Sequence, residues 1–227
     1  MSGADQAGRR SRFATIVLDV DSTLSRTEGI DWLAERRSVE LSREIREVTS
    51  RAMSGQVTLE SVYERRLELI RPTRLEITLL GEQYIATASP GAVEVVKNLQ
   101  RAGVRIVIVS GGIREAILPL AAHCGIPEAE VHAVSLAFSE AGNYLDFDHD
   151  QPLARNGGKP IVVRALSLQG PVLAVGDGVS DAELVTAQPR SVDAFGAFVG
   201  VAEREPVVRV ADYVVRHFDE IPAILDL

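Results

Sequence analysis

The chain has 227 residues, 46% of them apolar and 25% charged, with a net charge of −8. These values exclude a disordered polypeptide and bound the answer to one large α/β domain, or a core carrying a small inserted domain. Without a dense run of Lys or Arg, wholesale nucleic-acid binding is excluded too, leaving room only for a local basic pocket that holds a small anion.

Residues 1–12 are polar and basic and lack the apolar segment of a secretion signal, so they are expected to be a disordered tail. No apolar stretch reaches the ~18 residues a membrane span needs, so no membrane partner is expected and the cytoplasm is the expected compartment. Phe13-Ala14-Thr15-Ile16-Val17-Leu18 is an apolar run that ends on Asp19-Val20-Asp21. Such a run suits a parallel strand buried on both faces, with its carboxyl end opening into a site. From about Ile30 to Ala86 the texture turns rich in Glu, Arg and Leu, with helical spacing at Leu59, Val62, Arg66 and Leu69-Ile70. Thr73 with Glu76 resembles a capping box. This stretch is too long for one crossover and is expected to form a helical cap over the strand ends.

Ser89-Pro90 is expected to open a helix, Ser as N-cap and Pro at the first position, with Val93, Val96 and Leu99 facing the core and Gly103 ending it. Val104 to Val109 is the next strand, followed by Ser110-Gly111-Gly112. The single cysteine, Cys124, sits in an apolar context and is read as a small buried hydrophobe. Residues Ala137 to Asp148 are expected to form a hairpin turning near Glu140-Ala141-Gly142-Asn143. Gly158-Lys159-Pro160 leads into a helix over Ile161 to Leu168. Val172 to Val175 is a third buried strand, ending on Gly176-Asp177-Gly178, and short strands are expected near Ser191 to Phe195 and Asp212 to Val215. Apolar strands that each end in polar or Gly-rich turns are the pattern of an open α/β sheet, which binds ligands at those ends.

The strand-end residues carry the chemistry. Asp19 and Asp21 stand together, and Asp177 and Asp181 would join them from a neighbouring strand end. Four acids at one spot repel one another and need a cation; with neither Cys nor His nearby, all-oxygen ligation points to magnesium. Each acidic pair taken alone could simply terminate a strand. Ser110-Gly111-Gly112 suits a phosphate, although the same tripeptide is a common turn. Lys159 could place a point charge on a phosphate oxygen, or lie in solvent.

Taken together and in order, these segments resemble the haloacid dehalogenase superfamily over roughly residues 13–227. Asp19-Val20-Asp21-Ser22-Thr23 looks like its first motif, Ser110 its second, Lys159 its third and Gly176-Asp177-Gly178-Val179-Ser180-Asp181 its fourth. Within it the chain is most similar to the phosphoserine phosphatase branch, through Leu24 and Glu28-Gly29-Ile30-Asp31, Arg51-Ala52-Met53-Ser54-Gly55, Glu64-Arg65-Arg66-Leu67, and Gly157-Gly158-Lys159 after Gln151-Pro152.

The resemblance implies a doubly wound, mostly parallel Rossmann-like core over 13–27 and 87–227, a helical cap over 28–86, and hydrolysis of O-phospho-L-serine. By the same resemblance Asp19 is the nucleophile and Asp21 the acid and base. Asp19, the backbone carbonyl of Asp21, and Asp177 hold Mg2+, with Asp181 behind them. Ser110, Gly111 and Lys159 bind phosphate, while Glu28, Met53, Arg66 and Ser180 meet the rest of the substrate. Without the resemblance, Glu28 and Arg66 would pass as surface helix residues. Two positions depart from the pattern: Leu59 replaces an aromatic expected seven residues before Arg66, and Ala133-Val134-Ser135 stands where an Ala-Asn pair is expected. The expected partner is a small-molecule phosphate ester, met by a monomer or homodimer. Close alternatives are another small ester or phosphoryl transfer to an amino-alcohol. A receiver-like phosphate-sensing module is disfavoured, because receivers are far shorter and lack the insertion.

Overall fold

The computed structural model of the chain describes residues 11–53 and 59–227, apart from the side chains of 46, 48–53 and 59–61. Of the expected disordered tail, residues 1–10 lie outside the described residues. At Arg12, by contrast, the backbone N–H donates to Leu225 O at 3.0 Å.

Among the described residues, a six-stranded sheet forms the centre, in the order β3-β2-β1-β6-β7-β8, and every pairing within it is parallel. The strands are β1 (Thr15–Leu18), β2 (Arg105–Ile113), β3 (Val131–Val134), β6 (Val172–Gly176), β7 (Ala194–Phe198) and β8 (Tyr213–Val215). A separate antiparallel hairpin joins β4 (Leu136–Phe138) to β5 (Tyr144–Phe147), turning through Gly142, whose φ of 79° suits a glycine. Every residue of β1 and β6 is buried, as a strand covered on both faces requires. Each Val, Leu or Ile buried there contributes about 1.5–3 kcal/mol of hydrophobic stabilisation. Cys124 is fully buried, and burial pushes its thiol up to about 11, so it behaves as a packed hydrophobe.

The helices are α1 (Gly29–Glu35), α2 (Val39–Met53), α3 (Leu59–Ile70), α4 (Arg74–Ala86), α5 (Ala92–Arg101), α6 (Arg114–His123), α7 (Gly158–Ala165), α8 (Val179–Thr186), α9 (Glu205–Val208) and α10 (Ile221–Ile224). Between β1 and α5 the described residues include four helices, α1 to α4, and Thr73 and Glu76 form the reciprocal capping box at the start of α4. The stretches entering and leaving these four helices run side by side: Arg26 N–H donates to Thr87 O at 2.9 Å, and Ser89 N–H to Leu24 O at 2.9 Å. Helix α4 lies close against α6, because Gly81 presents no Cβ to Pro119 and Ala116 O, which such an atom would meet at 3.0 and 3.2 Å.

Several boundaries differ from expectation. Helix α5 begins at Ala92, and Ser89 is not its cap. The Ser89 hydroxyl is committed instead to Thr23 O at 2.5 Å, and Gly91 turns the chain at φ 75°. Helix α7 starts at Gly158, three residues before the expected Ile161, so Lys159 sits in its first turn. Strand β7 spans Ala194–Phe198 rather than 191–195, because the 191–193 segment bends into the sheet: Asp193 N–H donates to Val172 O at 3.0 Å.

This order sets the site. The chain builds β1, β2 and β3 outward on one side, then returns to lay β6 against the other side of β1. That reversal is a topological switch point, where open sheets leave a crevice at the carboxyl ends of the strands.

Candidate active site

Leu18 pairs with Ile108 on one side and Val175 on the other, so Asp19 and Asp177 emerge at neighbouring strand ends beside Ser110 of β2. Asp19 N–H still bonds to Val175 O at 3.1 Å, which fixes its backbone as part of the sheet. The chain then makes a tight irregular helical turn over Val20–Leu24, with Ser22 in the left-handed region at φ 51°. The turn brings Asp21 back towards the strand ends.

Asp21 Oδ1 accepts from Gly29 N at 3.0 Å and from the Tyr84 hydroxyl at 2.6 Å. Its carboxyl is pushed up to about 7, chiefly by burial, with the charges of Glu28 and Asp19 adding and the Tyr84 and Gly29 hydrogen bonds opposing. A carboxyl held near neutrality can give a proton and take one back.

Lys159 Nζ stands 2.9 Å from Asp19 Oδ1 and 2.6 Å from Asp181 Oδ1, all three side chains buried. Burial alone would lower the ammonium's pKa, but the two carboxylates outweigh it and hold Lys159 charged. Two glycines permit this packing. A Cβ at Gly176 would overlap the Asp181 carboxyl, and one at Gly158 would overlap the Pro152 carbonyl. Asp181 also caps its own helix, its Oδ2 accepting from Gly178 N at 3.0 Å.

Asp19, Asp177 and Asp181 each offer a carboxylate oxygen within 4.8 Å of the others, all buried. Asp19 Oδ1 is buried without an aligned hydrogen bond; its contact with Lys159 is an ion pair, which leaves it able to accept a ligand bond. An all-oxygen donor set with an under-satisfied buried carboxylate fits a hard divalent cation. Asp181 has both oxygens engaged by Lys159 and Gly178, which suits a supporting position behind the cation.

The Ser110-Gly111-Gly112 segment does not follow its strand, as expected, but lies within it: β2 continues through it to Ile113, and α6 starts at Arg114. Its pairing with β3 jumps from Val109↔His132 to Ile113↔Val134, so 110–112 bulge out of that ladder. Ser110 is buried, its Oγ accepting from Gly112 N at 3.2 Å. A Cβ on Gly112 would lie 3.1 Å from Asp21 Oδ2, so the bulge and the acid pair face each other closely.

The other expected residues are less convergent. Glu28 precedes α1 and is exposed, its Oε1 accepting from Ser22 Oγ at 2.5 Å. Arg66 pairs with Asp31, and its Nε is buried without a partner. Ser180 is exposed in the first turn of α8. Met53 ends α2, and the side chains of Met53 and Leu59 lie outside the described residues, as do Ser54 and Gly55. Val134 is fully buried in β3, filling space in the core.

Two residues in the site carried no signal in the sequence. Tyr84 lies 63 positions from Asp21. Arg204 pairs with the Asp177 carboxylate, donates to Asp177 O at 3.2 Å, and reaches within 3.9 Å of Glu28 Oε1. Only the relative scarcity of aromatics, 5% of the chain, singles out a tyrosine on a cap helix, and Glu203-Arg204-Glu205 reads as an ordinary charged surface run.

Residues 16–186 match the family model of the haloacid dehalogenase-like hydrolases. The chain belongs to that family. As a haloacid dehalogenase-like hydrolase, it is 34% identical over 214 residues to the chloroplastic phosphoserine phosphatase of Arabidopsis thaliana, covering 93% of this chain and 71% of that one. It is 36% identical over 209 residues to phosphoserine phosphatase of Homo sapiens, covering 91% of this chain and 90% of the relative. Among solved structures, a phosphoserine phosphohydrolase-like protein from Francisella tularensis subsp. tularensis SCHU S4 superposes with a TM-score of 0.81 at 27% identity, covering 93% of this chain and 99% of that one. The doubly wound parallel core expected for a haloacid dehalogenase-like hydrolase is the one observed. No helix among the described residues is long and apolar enough to cross a membrane.

Proposed function

We propose that this hydrolase converts O-phospho-L-serine to L-serine and phosphate through a phospho-aspartate on Asp19, using magnesium. The observation that carries the reading is a division of labour between two acids two residues apart. Asp19 is matched to a charged lysine at 2.9 Å, whereas Asp21 has its carboxyl raised to about 7. One lies against a cation and the other is poised to exchange a proton. The names of relatives 34% and 36% identical over most of the chain support the choice of phosphoserine.

Asp19 attacks phosphorus, and the bond from phosphorus to the seryl oxygen breaks as Asp21 gives that oxygen its proton. Asp21, now a carboxylate, takes a proton from water as the water attacks the phospho-aspartate, releasing phosphate and restoring both acids. Lys159, Ser110 and the Gly111 N–H receive the phosphoryl oxygens, and Asp181 holds Lys159 in place. Asp19, Asp177 and the Asp21 backbone carbonyl would hold magnesium, whose charge offsets the repulsion between an anionic nucleophile and an anionic ester.

Residues 28–86 act as the cap in this reading. Glu28 takes the substrate ammonium and Arg66 its carboxylate, exchanging Asp31 for a bidentate partner. Ser180 borders the same substrate. Phosphate release measured over a panel of small phosphomonoesters, with magnesium and with excess chelator, tests the proposal. Phosphoserine should lead the panel and chelator should abolish turnover. Full activity in chelator, or no preference for phosphoserine, would contradict it.

A further inference from the structure

Asp21 does not sit freely beside the strand ends. Its Oδ1 receives two donors, Gly29 N at 3.0 Å and the Tyr84 hydroxyl at 2.6 Å. Its Oδ2 faces the other way, 3.1 Å from the point where a Cβ on Gly112 would lie, at the bulge where phosphate is proposed to bind. An oxygen already accepting from two donors is a poor place for a further proton, so the neutral acid carries its proton on Oδ2.

Tyr84 is fully buried and held from two sides. Its helix α4 is seated on α6 through Gly81, which a side chain would separate from Pro119 and Ala116. Its hydroxyl reaches Asp21 only because residue 29 is glycine, since a Cβ there would overlap the phenol oxygen. In the 2.6 Å bond between them the phenol is the donor and Asp21 Oδ1 the acceptor.

We infer that Tyr84 is a positioning residue for proton transfer: it locks Asp21 Oδ1, so that Oδ2 alone is presented to the leaving oxygen. A plain core role would be different. A buried phenol that merely satisfies its hydroxyl on the nearest acceptor could be replaced by phenylalanine with a loss of stability and no change in the pattern of catalysis. The inference rests on the reading of Asp21 as proton donor, so the test carries a control for that reading.

The full chain with magnesium is assayed on phenyl phosphate and p-nitrophenyl phosphate, two esters of similar shape. Phenolate is the poorer leaving group and needs the proton more. The kcat/KM value reports the step in which that group departs. Tyr84→Phe should lower kcat/KM about tenfold for phenyl phosphate and by less than about threefold for p-nitrophenyl phosphate, a part of what general acid catalysis contributes. Asp21→Asn should widen the gap between the two esters further. If Asp21→Asn widens the gap and folded Tyr84→Phe slows both esters equally or neither, the Tyr84 inference is overturned and the reading of Asp21 stands. If Asp21→Asn leaves the gap unchanged, the proton-donor reading falls and the inference falls with it. Gly29→Ala supplies an independent variant should Tyr84→Phe fail to fold. It keeps the ring but displaces the hydroxyl from Asp21, and it should widen the same gap; an unchanged gap in that folded variant overturns the inference.

Discussion

Arg204 lays its guanidinium on Asp177, pairing with the carboxylate and donating to the backbone carbonyl at 3.2 Å. Asp177 is one of the carboxylates proposed to hold magnesium, so the arginine occupies charge that the cation needs. Its other end lies 3.9 Å from Glu28 Oε1, which offers an alternative partner when the cation arrives. Arg204→Ala removes a like charge from the edge of the cation site. Magnesium should then bind the variant roughly fivefold more tightly or better, on the scale of a charge pair partly screened by water. Isothermal titration calorimetry of magnesium into both proteins measures this. Equal or weaker binding by the variant would show that Arg204 does not compete for Asp177.

The raised carboxyl of Asp21 has a consequence for stability. Its folded value of about 7 lies above its ordinary 3.8, so the folded protein holds a proton there that the unfolded chain releases. Folding is therefore penalised as pH rises from about 4 towards 7, and the full penalty is present above 7. It is on the order of 2–4 kcal/mol. Asp21→Asn keeps an oxygen for Tyr84 and Gly29 and removes the charge. In chelator, the variant should melt several degrees above the unmodified protein at pH 8 and close to it at pH 4–5. Thermal melts at the two pH values check the sign; a variant less stable at pH 8 would rule out a strained carboxylate.

Arg66 is the expected reader of the substrate carboxylate, and its buried, unpartnered Nε leaves a donor available beyond the pair with Asp31. Arg66→Ala should lower kcat/KM for phosphoserine at least tenfold, since a buried charge left unpaired costs about 1–3 kcal/mol or more. The value for p-nitrophenyl phosphate, which has no carboxylate, should stay within about threefold. Equal losses on both esters would assign Arg66 to the folding of the cap.

Much of this site was legible in the sequence because its chemistry is local. Asp19 and Asp21 follow a run of buried aliphatics, and Asp177 and Asp181 share one turn, so the strands and the acids announce each other. Lys159 gained meaning only as one member of an ordered set. What stayed hidden depends on contacts between distant segments. Ser89 has the chemistry of a helix cap, but Thr23 O, 66 positions away, takes its hydroxyl and the helix starts later. Ser110-Gly111-Gly112 has the composition of a turn, yet a bulge against β3 keeps it within the strand. Tyr84 and Arg204 act through partners 63 and 27 positions away, which no local pattern encodes.

The central claim is a covalent phosphoryl group on Asp19, and a single-turnover experiment addresses it directly. Enzyme in excess over phosphate-labelled phosphoserine, with magnesium, is quenched in acid and the labelled peptide is mapped. Label should appear on the peptide carrying Asp19 and decay as free phosphate rises; folded Asp19→Asn should neither take up label nor release phosphate. Phosphate released by the unmodified protein with no label on that peptide, together with turnover by Asp19→Asn, would contradict the mechanism.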